Sequence, residues 1–304
     1  MKFSVFGDFH YSPEFFDPDP EAKLERLRMI QRRAEKENVS FIIHAGDFCH
    51  DAPNHPELMK LYNDFHIPSY HCIGNHETDL APLDAVLEQY KMESNQYYFD
   101  CEGYRFVVYD PCYMLFNGEY IHYNLRNYYT TQAINDFMPP ENIQWMRKVI
   151  EDSPHPCVLI GHTSFESGDG IQNNEDVLQM IREVNAKRKH SVLMAINGHF
   201  HRDHIEIFED VCHFDINSPS FQYIGTTHNH FPKELCKKVK SFEHLIIYND
   251  PVHAVITLEG TTITIEGMES SFFMGIGPEQ SGDPYQIAAK RPCTPRVQSA
   301  KITL

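Results

Sequence analysis

Five short segments of this chain carry side chains that bind metal ions, and each lies just behind a glycine. They are Asp8-x-His10 after Gly7, Asp47 after Gly46, Asn75 and His76 after Gly74, His162 after Gly161, and His199-x-His201 after Gly198. Carboxylate, amide and imidazole together suit ions of the manganese, iron and zinc class, which accept mixed oxygen and nitrogen ligands. So many donors from separate segments suit two ions better than one. Two ions about 3.5–4 Å apart clamp a phosphoryl group for in-line attack, lower the pKa of a bound water and neutralise charge on oxygen. Ions held that close need a shared carboxylate.

The elements that must position these residues are visible just ahead of them. Runs at 3–6, from Phe41 onward, at 70–73, 157–160 and 192–196 are apolar throughout. Such runs predict buried parallel strands, and open α/β sheets bind ligands beyond the carboxyl ends of their strands. A glycine at the exit lets the backbone turn sharply and approach a ligand closely. The first run, an amphipathic helix over 21–38 and the run at Phe41 make a βαβ unit of about 40 residues. Further helices are predicted over 55–65, 82–91, 141–151 (with Trp145) and 173–189. Strands at 97–99 and 105–109 precede an aromatic insertion over 113–129. After His201 the pattern is mainly strand-like and antiparallel, at 203–208, 211–214, 242–248, 253–258 and 261–266. The last two flank Glu259-Gly260, a hairpin signal. Residues 1–267 are expected to form the catalytic domain, and 268–304 a Gly- and Pro-containing tail that packs back with a final strand over 296–304.

The bulk numbers bound the function class. The 304 residues are 41% hydrophobic and 23% charged, as in a soluble globular protein with a large core. A formal net charge of -17 argues against holding nucleic acid on a basic surface. It leaves room for a small phosphorylated substrate, because bound cations dominate the local field. Eight cysteines with no CxxC pair read as reduced thiols, mostly core fillers. The chain enters its first strand at once, which leaves no room for a signal peptide, and no apolar run reaches transmembrane length. A cytoplasmic protein without a membrane partner is expected.

Taken in order, Asp8-x-His10, Gly46-Asp47, Gly74-Asn75-His76-Glu77, Gly161-His162 and Gly198-His199-x-His201 resemble the signature of the calcineurin-like metallophosphoesterase superfamily over residues 7–201. The resemblance implies a four-layer α/β/β/α sandwich, two mixed β-sheets flanked by helices. It implies one metal on Asp8, His10, Asp47 and His201 and a second on Asp47, Asn75, His162 and His199, with Asp47 bridging. His76 would protonate the leaving oxygen or stabilise charge on the phosphoryl group. The implied activity is hydrolysis of a phosphomonoester or phosphodiester, a small molecule such as a nucleotide, by attack of a metal-bridging hydroxide. Manganese, iron and zinc all suit the ligands. A nuclease of the same superfamily and a non-catalytic scaffold are the rival readings. The net charge weighs against the first and the complete ligand set against the second.

Departures from better-known branches sharpen the reading. Protein serine/threonine phosphatases carry Asp-Arg-Gly shortly after the bridging Asp, where this chain has Phe48-Cys49-His50-Asp51 and no arginine. Purple acid phosphatases place a tyrosine ligand where His50 stands. In the phosphatases an Asp at that position orients the catalytic histidine; here Asp51, one residue later, either takes that task or leaves it unfilled. His44 and His71 read as strand residues packed near the site. His228 and His230 read as a solvated loop, with substrate contact as the alternative. In the aromatic insertion, Arg126 and Asn117 are candidate phosphate or substrate contacts.

Overall fold

A strand whose residues are all apolar has two faces to cover, and here both are covered. The computed structural model describes residues 1–12, 20–130, 132–165, 170–224, 230–281, 285–286 and 291–304. Among them, one six-stranded sheet runs in the order Ala300–Thr303, Thr262–Glu266, Ala254–Glu259, Lys2–Phe6, Ile42–His44, Ser69–Tyr70. A second runs His204–Phe208, Val211–Asp215, Val192–Asn197, Cys157–Ile160, Tyr104–Val108, Tyr97–Cys101. The strands that lead to the candidate ligands are parallel to one another within each sheet. Antiparallel strands complete the margins.

Successive strand residues point to opposite faces, and this alternation builds the layers. Phe3, Val5 and Ile43 of the first sheet meet Phe106, Val158, Ile160 and Ile196 of the second. The alternate residues Phe6 and Ile42 face the helices Pro20–Lys36, Pro56–Asn63 and Leu83–Tyr90 through Leu27, Ile30, Leu58 and Val86. Val107, Leu159 and Ala195 face Pro140–Glu151 and Asn174–Lys187 on the other side. The result is the expected α/β/β/α order. Phe41 and Phe106 lock the sheets together, with ring centroids 4.8 Å apart at 81°, and Phe3 packs against both at 5.1 and 5.2 Å.

Several details differ from the sequence pattern. The run expected as a strand over 242–248 splits into a short helix, Lys240–His244, and the strand Leu245–Ile247, which pairs with Phe221–Tyr223 outside the main sheets. Val211–Asp215 lies parallel to Val192–Asn197. The hairpin from His204–Phe208 reverses direction at Glu209-Asp210, so its second arm regains the direction of the central strands. The insertion forms its own three-stranded sheet, Tyr113–Phe116, Glu119–His122 and Ile134–Phe137. Its first turn is Asn117-Gly118, with φ of 52° and 84°. That turn prefers Asn-Gly for its left-handed backbone, which accounts for Asn117 at an exposed hairpin tip.

The tail returns as Ala300–Thr303, the edge strand beside Thr262–Glu266. All eight cysteines are free thiols. No helix among the described residues is long and apolar enough to cross a membrane. The Asp- and Pro-rich loop at 13–19, residues 167–169 of the Gly-containing loop, and Thr226, Thr227 and His228 lie outside the described residues.

The aromatic lock between the sheets is testable. Phe106→Ala removes a fully buried ring from it and should lower the free energy of unfolding by about 3–5 kcal/mol, read by chemical denaturation. A loss near that of a surface substitution would show that the sheets do not depend on this contact.

Candidate metal centre

The candidate ligands arrive on loops that the backbone itself ties together. Asp8 N–H donates to Gly46 O at 3.0 Å, His10 N–H to Asp47 O at 2.8 Å and Tyr11 N–H to Phe48 O at 2.9 Å, so the first two strand exits run side by side. Gly198 N–H donates to His162 O at 2.9 Å and joins the exits of the second sheet. Asp8, His10, Asp47, His199 and His201 all have left-handed backbone, with φ of 50°, 50°, 51°, 70° and 47°. Non-glycine residues adopt this region at a cost, and it concentrates at functional sites. Gly74 answers a close approach: a Cβ there would press on the Asp47 carboxylate and backbone nitrogen.

The side chains converge on one another. Around Asp8 Oδ1, His201 Nε2 lies at 3.4 Å and His10 Nε2 at 4.0 Å, and the two imidazole nitrogens are 2.9 Å apart. Asp47 Oδ2 reaches this group at 3.8 Å from His10 Nε2. The same oxygen is 3.1 Å from His162 Nε2 in a second group. There, Asn75 Oδ1 lies 3.0 Å from both His162 Nε2 and His199 Nδ1, which are 3.3 Å from each other. An ion bound about 2.1 Å from each donor sets neighbouring donors roughly 3.0–3.4 Å apart in octahedral or tetrahedral geometry. Most of these spacings match that figure. The residues fit two ions that share Asp47.

The electrostatics agree. Burial alone would raise the Asp47 carboxyl, but the imidazoles of His162, His76 and His10 hold it well below its usual value. Burial pulls His162 down, yet the charge of Asp47 and a hydrogen bond to it bring the imidazole up to about 10. Burial, reinforced by His162, takes His199 down to about 3. Burial likewise takes His10 well below its usual value, against the pull of Asp47. Burial thus keeps His10 and His199 neutral, while Asp47 holds a proton on His162. Metal binding takes imidazoles in their neutral form, so a bound ion would displace that proton.

A further shell fixes the donors. His162 Nδ1 faces Ala45 O at 2.8 Å and His201 Nδ1 faces Phe221 O at 3.1 Å, which turns each Nε2 inward. His10 Nδ1 meets His50 Nε2 at 2.8 Å. His199 N–H donates to both Asp8 oxygens at 3.0 and 3.1 Å, and His76 N–H to Asp47 Oδ1 at 2.8 Å. Glu77 accepts from Gly74 N–H at 2.7 Å, Asp47 N–H at 3.0 Å, Phe48 N–H at 2.6 Å and the Tyr90 hydroxyl at 3.1 Å. Burial, with Asp47 nearby, raises its carboxyl to about 8.

The structure brings all seven expected ligands together, with His76 beside them. The task left open at Asp51 belongs elsewhere. Asp51 precedes the short helix Ala52–Asn54 and accepts from Asn54 Nδ2. It is Asp79 that holds His76, by Oδ2 to Nδ1 at 2.7 Å. Asp79 also accepts from the Tyr128 hydroxyl at 2.8 Å and has Arg126 Nε at 3.5 Å. Against the pull of burial, Asp47 and Asp79 raise the His76 imidazole. His50 stacks on His76, centroids 4.5 Å apart at 8°. Asp79 stands three residues past His76, a spacing that could have flagged it; Tyr128, Glu77 and His50 gave no local signal. His44 and His71 are a buried hydrogen-bonded pair at 2.8 Å, as expected. His230 Nε2–H donates to Leu245 O at 2.8 Å.

Comparisons with known proteins extend the picture. The profile of the calcineurin-like phosphoesterase family matches residues 1–203. No curated protein sequence matches the chain. Among solved structures, a dimetal phosphatase from Danio rerio superposes with a TM-score of 0.61 at 15% identity, covering 89% of this chain and 98% of that one. GAP50 of Plasmodium, described as the anchor in the inner membrane complex, superposes with a TM-score of 0.56 at 13% identity, covering 100% and 89%. At such identities the likeness concerns the fold.

Metal content separates the assigned roles. Protein purified with Mn²⁺ should carry about two ions per chain, as a paired site requires. Asp47→Ala should lose both, and His76→Ala should keep both, measured by elemental analysis after desalting. Equal losses in the two variants would contradict the division between ligands and His76.

Proposed function

The chain belongs to the calcineurin-like phosphoesterase family, and on that premise we propose that it hydrolyses a small phosphomonoester or phosphodiester at the cluster centred on Asp47. The observation that carries this reading is the pairing of two donor groups through one carboxylate with a held, partly exposed imidazole beside them. Bound there, two divalent or trivalent ions of the manganese, iron or zinc class would activate water and neutralise the phosphoryl oxygens. Asp8, His10, Asp47 and His201 would hold one, and Asp47, Asn75, His162 and His199 the other.

The remaining steps belong to the chain's own residues. The other six ligands are buried, whereas His76 and the ligand His199 keep partial exposure, so substrate approaches on their side. As water attacks phosphorus, the P–O bond to the ester oxygen breaks and that oxygen needs a proton. His76 supplies it from Nε2, because Nδ1 is engaged by Asp79. Asp79 favours the protonated ring and fixes its plane; Tyr128 fixes Asp79. The proton returns to His76 from the water that attacked. The products are an alcohol and either inorganic phosphate or a phosphomonoester.

Turnover of p-nitrophenyl phosphate and its bis-ester tests this. Dialysis against a chelator should abolish activity and Mn²⁺ should restore it. His76→Ala should lower kcat by about 10²–10⁴, and Asp79→Asn by a smaller factor. The double variant should be no slower than His76→Ala alone, since Asp79 acts through His76. Metal-loaded wild-type protein that turns over neither ester would overturn the reading.

A further inference from the structure

Residues 124–129 bring the aromatic insertion to the metal cluster, where the Tyr128 hydroxyl meets Asn75 and Asp79. Leu125 N–H donates to Thr78 O at 2.7 Å, which pins the loop to the segment carrying His76. Leu125 and Arg126 both take left-handed backbone, φ 49° and 62°, two strained residues in succession with side chains that reach solvent. Strain of this kind persists only where the surroundings enforce it, and it is common where a ligand is clamped. The loop is enforced three ways. Asn127 Oδ1 accepts from Asn124 N–H at 2.9 Å, Asn127 Nδ2 donates to His122 O at 3.1 Å, and the Tyr128 hydroxyl donates to Asp79.

Three tyrosines, at 123, 128 and 129, form a column along this segment. Tyr123 and Tyr128 stack at 4.3 Å and 24°, and Tyr128 and Tyr129 follow at 4.4 Å and 32°. The column begins on a buried ring, since Tyr123 is 1% exposed and its hydroxyl donates to Asp136 at 3.0 Å. It ends on Tyr129, which is 60% exposed. Tyr129 adjoins Tyr128, whose hydroxyl donates to Asp79 and accepts from Asn75 Nδ2 at 3.3 Å, so the open ring stands beside the centre. An ordered, exposed ring at the end of a stack is a platform for another planar group. Arg126 Nε, 3.5 Å from Asp79 Oδ2, places a cation next to it.

Resting on the phosphoesterase reading, we propose that Tyr129 and Arg126 form the leaving-group subsite and that the substrate's leaving alcohol carries a planar ring system of the nucleoside class. Tyr129 stacks on the base. Arg126 attracts the phosphate, which every phosphoester shares. His76, held by Asp79, protonates the departing oxygen on the same side.

The test is competitive inhibition of whichever nitrophenyl ester the Mn²⁺-loaded protein turns over, by adenosine 5′-monophosphate and by ribose 5-phosphate. The two share phosphate and sugar and differ only in the base. Stacking should give the nucleotide a Ki about tenfold lower. Tyr129→Ala should remove most of that preference and Tyr129→Phe should keep it, whereas Arg126→Ala should weaken both inhibitors alike. Equal inhibition of wild type by the two compounds, or a preference untouched by Tyr129→Ala, overturns the inference alone. A protein that turns over neither ester overturns the phosphoesterase reading and this inference with it.

Discussion

A buried carboxylate facing several imidazoles holds its geometry only if the backbone beneath it cannot move, and Glu77 supplies that constraint. Its two oxygens accept from Gly74, Asp47 and Phe48 N–H groups and from the Tyr90 hydroxyl. Three of those donors are main-chain groups at the ends of neighbouring strands. A single side chain therefore stitches the exit of Ile42–His44 to the exit of Ser69–Tyr70. Asp47 and Asn75, which belong to different loops, are placed relative to each other by this residue and by the His76 N–H bond to Asp47 Oδ1. With the Glu77 carboxyl raised to about 8 by burial, each of its buried hydrogen bonds is of the ordinary kind, about 0.5–1.5 kcal/mol.

The rest of the centre repeats the same logic at greater range. Left-handed backbone at a non-glycine residue costs about 1–3 kcal/mol, and five of the seven candidate ligands adopt it. The cost is tolerable because paired exit loops, inward-turned imidazoles and the Glu77 carboxylate over-determine the positions. The strain is thus evidence of a site whose precision the fold maintains. The fold by itself says less: the same architecture is shared with a protein described as a phosphatase and with one described as an anchor. Function lies in the side chains mounted on it.

The sequence displayed the ligands because each follows an apolar run and a glycine within three residues, a local pattern that survives without any structure. It displayed the layers for the same reason, since alternation and helical periodicity are local. It hid what depends on contact across the chain. Glu77 looked like the end of a motif, yet it acts on residues 29 and 30 positions earlier. Tyr128 meets Asp79 from 49 residues away, out of an aromatic stretch with no periodicity of its own. Asp51 was the natural partner for His76 by analogy of position, but the chain turns into a short helix there and Asp79 takes the place. The strands after His201 pair antiparallel as expected, but the parallel pairing of Val211–Asp215 with Val192–Asn197 leaves no mark in hydrophobicity.

The claim on which the account turns is that one carboxylate serves two ions. Electron paramagnetic resonance of protein loaded with Mn²⁺ reads this directly, because ions sharing a carboxylate are exchange-coupled. The wild-type spectrum should show the broadened, many-line signal of a coupled pair, and Asn75→Ala should convert it to the simple pattern of an isolated ion. Isolated-ion signals from wild-type protein at saturating Mn²⁺ would contradict the account.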